Sequence, residues 1–439
     1  MKTALDHTHD ANATSWLASA NDAGCDFPIQ NLPFGVFRRK ASSEAFRVGV
    51  AIGDAIVDVS RLEIANGPAA AVAAACAEPA LNGIMAAGPA AWRALRYALF
   101  DLLQSTAPED AVAATRACLV PQNEAEFDVP AAIGDYTDYF TSIDHAINGG
   151  RLLDPNYKLA RSFQWLPMAY HGRVSSIGVA GQHFHRPRGQ IVDPKSGDPV
   201  YAPTQRLDFE LELGVLVGQG NSLGEPVDIE AAEDRIFGIC MLNDWSARDI
   251  QAFEMFPLGP FQSKNFATTL SPWVVTLDAL APYRSSPRRT SDAPKLLPHM
   301  DSLANREGGA IDIQLQVSIE TVAMRSRGLQ PENICTTNFR HQYWTIAQMV
   351  AHHTAGGCNL RVGDLLGTGT ISGPEPGMAG SMIELSLAGR RPLPLSSGEE
   401  RSFVEDGDTI IYRGWCERDG LRRIGFGVNR GTVAAAAST

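Results

Sequence analysis

The chain has 439 residues, 44% of them hydrophobic, and a formal net charge of −12. A chain of this length can bury a large core and is expected to divide into two or more domains. Because the net charge is negative and Lys and Arg are scattered along the chain, neither nucleic acid nor an anionic membrane surface is a favoured partner. These features favour a small-molecule substrate.

The seven cysteines are widely spaced, odd in number and without a C-x-x-C pair. This usage predicts reduced thiols in a cytoplasmic protein. The N-terminal residues are polar and acidic, so we expect neither a signal peptide nor a membrane span. Residues 1–25 are predicted to be a mobile or loosely docked lead-in.

Residues 26–130 are predicted to form a small domain that mixes strands and helices. Its strand-like segments are 36–37, 46–52 and 55–59. The alanine-rich run 66–118 predicts helices, one of them amphipathic. Two prolines and several acidic residues indicate a linker at 119–130.

From residue 131 onward, short strand-like segments alternate with Gly and Pro, and long helical patterns are few. This pattern favours a β-rich domain over a series of βαβ units. The predicted fold class is therefore mainly β with additional helices, with a second domain at 131–439.

An acidic pair on a predicted strand is the first indication of chemistry. Glu210 and Glu212 are two residues apart, so on a strand both side chains point to one face. The run at 214–218 that follows is apolar and typical of a strand buried on both faces. A solvated edge strand is the alternative, but buried carboxylates in this position would need a cation.

A third acidic residue, Asp244, follows the apolar run 236–242 and is predicted to lie at a strand-to-helix junction. If the next segment is helical, Asp244, Arg248 and Gln251 share one helix face. That face would present a ligand, a cation and an amide together. The alternative is an N-cap aspartate with an exposed arginine.

Asp138 and His145 are seven residues apart, which corresponds to two turns on one helix face. A ligand and a general base could then lie side by side, because imidazole is well suited to proton transfer near neutral pH. A structural histidine is the alternative. Ligands that are all oxygen atoms favour Ca²⁺ or Mg²⁺ over zinc.

Motifs of several other enzyme classes are absent. The chain has no G-x-S-x-G elbow, no H-E-x-x-H and no dinucleotide fingerprint, and its glycine-rich loop at 368–376 lacks the order of a P-loop. Serine-hydrolase, zinc-protease and dehydrogenase functions therefore lose their usual sequence support.

Several ordered motifs between about residues 26 and 430 resemble the fumarylacetoacetase (fumarylacetoacetate hydrolase) family. They are FPIQNLPFGVF at 27–37, DYTD at 135–138, YHGR at 170–173, NDWSARD at 243–249, GPF at 259–261 and GTISGPEP at 369–376. The resemblance implies a small SH3-like N-terminal barrel, a C-terminal β-roll catalytic domain and a homodimer. It also implies hydrolysis of a carbon–carbon bond between two carbonyl groups, the last step of tyrosine breakdown.

The resemblance also implies a role for each matching position. The implied ligands of a catalytic Ca²⁺ or Mg²⁺ are Asp138, Glu210, Glu212 and Asp244. A second Mg²⁺ position is implied near Lys264, Asn265 and Thr268. His145 is the implied general base and Glu384 the carboxylate that orients it. The implied oxyanion and leaving-group partners are Arg248, Gln251 and Lys264, and the implied substrate contacts are Tyr170 and Thr370.

The chain departs from the family pattern where substrate would bind. Phe140 and Met255 stand where the family usually has tyrosine, and the segment 152–155 is one residue short and lacks the family's substrate-binding arginine. Arg151 and Arg161 are nearby but not aligned. We therefore expect fumarylacetoacetate to be a poor substrate and a less charged or bulkier diketo compound to be a better one.

Three functional classes follow from these observations. The leading one is a metal-dependent carbon–carbon hydrolase that acts on a 1,3-diketo acid. A decarboxylase or isomerase of a related keto acid would use the same site. A binding protein without catalysis is disfavoured, because all the implied ligands and the implied base are present.

Overall fold

The computed structural model describes residues 5–64 and 67–438. The first four residues of the predicted lead-in, residue 65, the first residue of the helical run predicted at 66–118, and the last residue lie outside this description. The fold is mainly β with additional helices, as the sequence predicts.

The helices of the described residues fall into an N-terminal group and a scattered C-terminal group. They are α1 (Pro68–Ala75), α2 (Asn82–Ala86), α3 (Pro89–Leu103), α4 (Glu109–Arg116), α5 (Ile143–Leu153), α6 (Arg248–Glu254), α7 (Leu277–Leu280), α8 (Leu303–Gly308), α9 (Val322–Arg327), α10 (Ile346–Thr354) and α11 (Met382–Leu385).

The strands of the first half of the chain are β1 (Phe34–Arg39), β2 (Arg47–Ile52), β3 (Ala55–Asp58), β4 (Leu119–Pro121), β5 (Ala125–Asp128), β6 (Tyr136–Phe140), β7 (Met168–His171), β8 (Ile177–Val179), β9 (Gln182–His185), β10 (Arg188–Val192), β11 (Pro199–Pro203), β12 (Leu207–Asp208) and β13 (Leu211–Val217). Those of the second half are β14 (Ile236–Asp244), β15 (Ser246–Ala247), β16 (Thr268–Leu270), β17 (Val275–Thr276), β18 (Arg284–Ser285), β19 (Ala310–Ile311), β20 (Gln314–Glu320), β21 (Glu332–Asn338), β22 (Leu365–Gly367), β23 (Leu393–Pro394), β24 (Glu400–Arg401), β25 (Thr409–Cys416) and β26 (Ile424–Ala434).

The N-terminal part is an antiparallel sheet in the order β4-β3-β2-β1-β5 with helices packed against it. Helix α3 begins at Pro89, a position where proline is favoured, and buries Trp92, Leu95 and Leu99 on one side. The linker prediction for 119–130 is wrong, because this segment supplies both edge strands of the sheet. Pro121 is tolerated there because it ends an edge strand.

Residues 5–25 are docked in the structure by specific contacts, while their predicted mobility stays a prediction. Trp16 donates its indole N–H to the carbonyl of Leu102 at 2.9 Å, and Ser15 donates its hydroxyl to the carbonyl of Leu103 at 2.7 Å. These bonds tie the segment to the end of α3.

The central sheet of the C-terminal part carries the site. Its order is β7-β6-β22-β13-β14-β16-β8, and every residue of β13 and β14 is buried. One face packs on a second sheet, β21-β20-β25-β26-β9, through residues such as Tyr412 and Phe426. The other face meets the N-terminal part, where Trp92 and Phe237 pack edge to face at 5.2 Å. Covering both faces explains why the apolar runs of β13 and β14 are nearly continuous.

Within the part of the chain that the structure describes, no helix is long and apolar enough to cross a membrane.

Candidate active site

Four acidic side chains from three strands converge at one end of the central sheet. Asp138 lies on β6, Glu210 immediately precedes β13, Glu212 lies on β13, and Asp244 ends β14. Each offers one carboxylate oxygen, and these oxygens all lie within 4.8 Å of one another. All four side chains are buried, which excludes the solvated edge-strand alternative for Glu210 and Glu212.

The pairing of the strands explains this convergence. Leu211 of β13 pairs with Asn243 of β14, so the glutamates on either side of Leu211 come next to Asp244. Asp138 reaches the cluster through β22, because Gly367 pairs with Asp138. The ligands are distant in sequence and adjacent in the sheet.

Asp138 and His145 are not on one helix, so that interpretation of their spacing is wrong. Residues Tyr136–Phe140 pair with β7 and β22 as a strand. Helix α5 begins only at Ile143, because the Ser142 hydroxyl caps it by accepting the backbone N–H of His145 at 3.1 Å. A turn therefore separates the two residues.

Burial and like charges disfavour ionisation of most of the cluster. Burial raises the pKa of Asp138 well above its usual range, and the Asp244 carboxylate raises it further. Burial and the neighbouring Asp138 carboxylate likewise raise the pKa of Glu212. Such shifts are typical of carboxylates that share a site without enough positive charge.

Two buried cations partly compensate the cluster. Lys264 Nζ lies 2.6 Å from Glu210 Oε2 and 2.7 Å from Asp244 Oδ2, and Arg248 Nη1 lies 2.7 Å from Glu210 Oε1. Burial alone would raise the pKa of Glu210, but Lys264 and Arg248 outweigh it and the pKa is lowered. Burial lowers the pKa of Lys264, but Asp244 and Glu210 raise it more, so the lysine stays an ammonium.

The cluster fits a hard divalent cation. Asp138 Oδ1 and Glu212 Oε1 are buried and have no hydrogen-bond partner among the described residues. Leaving buried carboxylate oxygens without partners is unfavourable, and a cation would satisfy both. A donor set made only of carboxylate oxygens is the type that Ca²⁺ and Mg²⁺ bind.

His145 and Glu384 form a buried hydrogen-bonded dyad. His145 Nδ1 lies 2.6 Å from Glu384 Oε2. Burial alone would raise the pKa of Glu384, but His145 and hydrogen bonds from neighbouring side chains lower it, so Glu384 is an anion. Because Nδ1 is held by a carboxylate, Nε2 is the nitrogen that can accept a proton.

Three polar side chains that were not predicted hold Glu384 in place. Ser372 and Ser381 donate their hydroxyls to Glu384 Oε2 at 2.9 and 2.7 Å, and Asn148 donates its amide N–H to Oε1 at 3.0 Å. Asn148 lies three residues after His145 on α5, so the helical spacing itself could have indicated it. Ser381 lies three residues before Glu384, in the S-x-x-E spacing of a helix start, so this spacing could also have indicated it, whereas Ser372 lies twelve residues before Glu384 and no local pattern indicates it.

Helix α6 presents the predicted cation and amide. Arg248 is its first residue and donates from Nη1 to Gln251 Oε1 at 3.1 Å. Asp244 is not on this helix, because β14 ends at Asp244 and β15 intervenes. Asp244 and Arg248 instead meet through Glu210, which faces both.

The predicted substrate contacts lie around the cluster with different degrees of exposure. The Tyr170 hydroxyl donates to Asp244 Oδ2 at 3.4 Å, and Thr370 is buried in the loop after β22. The ring of Phe140 packs edge to face on His145, with centroids 5.5 Å apart. Met255 follows α6 and is 42% exposed. Asp154, near the position of the missing arginine, ends α5 and is exposed.

Two of the residues implied for a second Mg²⁺, Lys264 and Thr268, contact the first cluster. Thr268 donates its hydroxyl to Asp244 Oδ1 at 3.2 Å. The Lys264 ammonium is engaged with Glu210 and Asp244 and has no lone pair to offer a metal. A second ion at this place stays a prediction.

Comparisons with known proteins identify the family. Residues 142–434 match the family model "Fumarylacetoacetate (FAA) hydrolase C-terminal", and residues 30–130 match "Fumarylacetoacetase N-terminal". The chain belongs to the fumarylacetoacetate hydrolase family.

Curated relatives in this family match over nearly their whole length. The fumarylacetoacetase of Caenorhabditis elegans is 47% identical over 94% of this chain and 97% of that protein. The fumarylacetoacetase of Homo sapiens is 44% identical over 96% and 99%. A crystal structure of a Mycobacterium smegmatis protein shares the fold, with a TM-score of 0.50 at 17% identity over 92% of this chain and 99% of that chain.

The first prediction concerns the carboxylate cluster. After chelation, Ca²⁺ or Mg²⁺ should stabilise the protein by about 2.7 kcal/mol when the free ion is 100-fold above its Kd. Metal-free Glu212→Gln should melt above the metal-free wild type, because it removes a carboxylate that burial and Asp138 disfavour. Because the pKa of Glu212 is raised in the folded protein, Glu212 keeps its proton there at pH values where the unfolded chain has lost it. Raising the pH through the usual Glu range therefore destabilises the folded wild type, and Glu212→Gln has no such proton to lose. The difference in melting temperature between metal-free Glu212→Gln and metal-free wild type should therefore increase as the pH rises above the usual Glu range.

With saturating metal the order of melting temperatures should reverse, because Glu212→Gln lacks one ligand charge. Thermal melts with and without metal measure both orders. Glu233→Gln, which alters an acidic residue paired with Arg284 outside the cluster, is the control and should keep the wild-type metal response. A metal response in Glu212→Gln equal to that of the wild type would contradict the site.

The second prediction concerns the dyad. His145→Ala should lower kcat by about two to four orders of magnitude, because the predicted general base is removed. Glu384→Gln should be similarly severe, and the double variant should lose little more than either single one. His353→Ala is the matched control, because His353 binds Thr137 and not the dyad. If the loss of kcat in the double variant equals the product of the two single losses, the residues act independently and the dyad is wrong.

The third prediction concerns the turn before Thr370. Gly369 has φ +74°, donates its N–H to Glu212 Oε2 at 3.0 Å, and would place a Cβ 2.1 Å from the carbonyl oxygen of Tyr139. Gly369→Ala should therefore displace Glu212 and Thr370 and lower kcat about 100-fold. Gly377→Ala has a similar φ of +87° but open space, and should retain activity. Equal kinetics for the two variants would contradict this role of the turn.

Proposed function

We propose that the protein hydrolyses fumarylacetoacetate at the bond between a carbonyl carbon and the adjacent carbon, releasing two acids. The His145–Glu384 dyad beside the buried carboxylate cluster supports this reaction most directly. Nearly full-length identity of 42–47% to fumarylacetoacetases supports the substrate.

In the proposed reaction, His145 Nε2 removes a proton from water as the water oxygen attacks the carbonyl carbon. Glu384 keeps Nδ1 protonated and stabilises the imidazolium that forms. The bond to the neighbouring carbon then breaks, and that carbon leaves as an enolate that takes up a proton. Water thus supplies the oxygen of one product acid and the hydrogen of the other.

Arg248, Gln251 and Lys264 are proposed to stabilise the negative charge. In buried sites, removing one such donor costs about 3–4 kcal/mol of transition-state stabilisation. Because Lys264 stays an ammonium, it can also supply the proton to the leaving carbon. Arg248 Nη2 is buried without a partner among the described residues and is therefore free for an oxyanion.

We propose Ca²⁺ or Mg²⁺ as the resident ion, held by Asp138, Glu210, Glu212 and Asp244. A bound divalent cation supplies charge stabilisation to the two oxygens of a 1,3-dicarbonyl group as an enolate develops. The second Mg²⁺ near Lys264, Asn265 and Thr268 is retained as a prediction from the family resemblance alone.

The alternative of a decarboxylase or isomerase is not favoured, because the near-full-length relatives named above are fumarylacetoacetases. We also propose that residues 26–130 form a domain with an SH3-like barrel and that residues 131–439 form a β-roll catalytic domain. We propose in addition that the protein is a homodimer and is located in the cytoplasm. Seven free thiols support a reducing compartment.

The proposed function is tested by product analysis. The metal-loaded protein should consume fumarylacetoacetate and release fumarate and acetoacetate in equal amounts, and in ¹⁸O-water one product carboxylate should gain one labelled oxygen. Release of carbon dioxide, or an isomer without label, would instead support the alternative enzyme class.

The fourth prediction concerns the missing tyrosines. Tyrosine hydroxyls at positions 140 and 255 would each donate to a substrate carboxylate, and a hydrogen bond to a charged group contributes about 1.5–3 kcal/mol. The Phe140→Tyr, Met255→Tyr double variant should therefore raise kcat/KM for fumarylacetoacetate about tenfold or more. An analogue without the fumaryl-side carboxylate should show no gain. Equal kcat/KM in wild type and double variant would show that the substitutions are neutral.

A further inference from the structure

Asp208 has no part in the chemistry described above, yet its side chain is fully buried beside the site. Its Oδ1 accepts the backbone N–H groups of Phe209 at 2.8 Å and Met382 at 2.6 Å. Its Oδ2 accepts the N–H of Ile383 at 3.0 Å and Nε of Arg248 at 2.8 Å. Four donors fill the four acceptor directions of a carboxylate, so Asp208 joins β12, α6 and α11 at one point.

The first turn of α11 depends on this junction. Ser381 is the N-cap residue of α11 but makes no capping hydrogen bond, and its hydroxyl donates to Glu384 Oε2. An N-cap serine ordinarily accepts a backbone N–H of the first turn. Here Asp208 accepts the N–H groups of Met382 and Ile383 in its place. Asp208 therefore fixes the turn on which Ser381 and Glu384 lie, and Ser381 donates its hydroxyl to that glutamate.

The other side of the junction holds Arg248. Its Nε is fixed by Asp208, while Nη1 faces Glu210 and Gln251. Without Asp208 the guanidinium group of Arg248 would keep its charge but lose the hydrogen bond that fixes the orientation of its plane. The buried Asp208 carboxylate therefore contacts both Arg248 and the turn of α11 that carries Glu384.

We propose that Asp208 is a positioning residue for the hydrolytic reaction, holding Arg248 and the Glu384-bearing turn of α11 in one fixed relation. This inference rests on the proposed function. Asp208 acts through Arg248 and Glu384, since its four acceptor directions are filled by protein donors.

The test is Asp208→Asn in the metal-loaded full chain. The amide has the same shape but turns an NH₂ group toward two of the four donors, so at least two hydrogen bonds are lost. At a temperature where the variant is folded, kcat for fumarylacetoacetate should fall about tenfold or more, with KM changed less than about threefold and metal stoichiometry unchanged. In a Glu384→Gln background the same substitution should cause a much smaller further loss.

Asp408→Asn is the matched control. Asp408 is also fully buried and accepts Arg401 Nε at 2.8 Å and the N–H of Glu405 at 2.9 Å, away from the dyad and the carboxylate cluster. It should lose melting temperature to a similar extent and keep kcat within about twofold. Wild-type kcat in folded Asp208→Asn or an equal loss in Asp408→Asn would each overturn the role of Asp208, and a loss that multiplies with that of Glu384→Gln would overturn its action through Glu384.

A second pair of variants covers the case in which Asp208→Asn does not fold. Met382 is the first residue of α11, where proline is tolerated, and Met382→Pro deletes the N–H that binds Asp208 Oδ1. Met382→Ala removes the same buried side chain but keeps that N–H. Met382→Pro should have the lower kcat by about tenfold, and equal kcat values would overturn the proposal. A wild type that does not hydrolyse fumarylacetoacetate would overturn the proposed function and this role with it.

Discussion

Four carboxylates are buried at one end of the central sheet, and each places an oxygen within 4.8 Å of an oxygen of the others. The electrostatic cost of this burial is the main constraint on the site. An unpaired buried charge is unfavourable by several kcal/mol, and like charges at this distance add to it. Lys264 and Arg248 compensate chiefly Glu210, which is why its pKa falls while the pKa of Asp138 and Glu212 rises. The remaining negative charge is what a divalent cation is suited to balance.

The β-rich fold makes such a cluster tolerable. The strands that carry the ligands are covered on one face by the second sheet and on the other by the N-terminal part, so the carboxylates are held with little freedom. Their backbones are fixed by ladder hydrogen bonds, as between Leu211 and Asn243. Rigid strands hold catalytic groups more closely than loops would, and this precision matters for a reaction that depends on orientation.

The parts of the site that could be predicted from sequence are those with a local signature. Glu210 and Glu212 were indicated by period-two spacing before a continuous apolar run, and Asp244 by its place after a second run. The spacing of Asp138 and His145 misled, because seven residues fit two helical turns as well as a strand, a turn and a helix start. Only the pairing of β6 with β7 and β22 decides between them.

What sequence could not show is long-range contact. The segment 119–130 has the composition of a linker and forms two edge strands, because tertiary pairing overrides weak local preference. Ser372 and Ser381 bind Glu384, which lies 239 residues along the chain from His145. Asp208 is an exception that a longer pattern could have revealed, since acidic residues alternate at 208, 210 and 212.

We propose that turnover depends on an ion held by the four carboxylates. The most direct test measures turnover of fumarylacetoacetate against the number of ions bound per chain, starting from exhaustively chelated protein. We expect negligible turnover in metal-free protein and a linear rise that saturates when the ions held by these carboxylates reach full occupancy. Full turnover by protein whose metal content is near zero would contradict it.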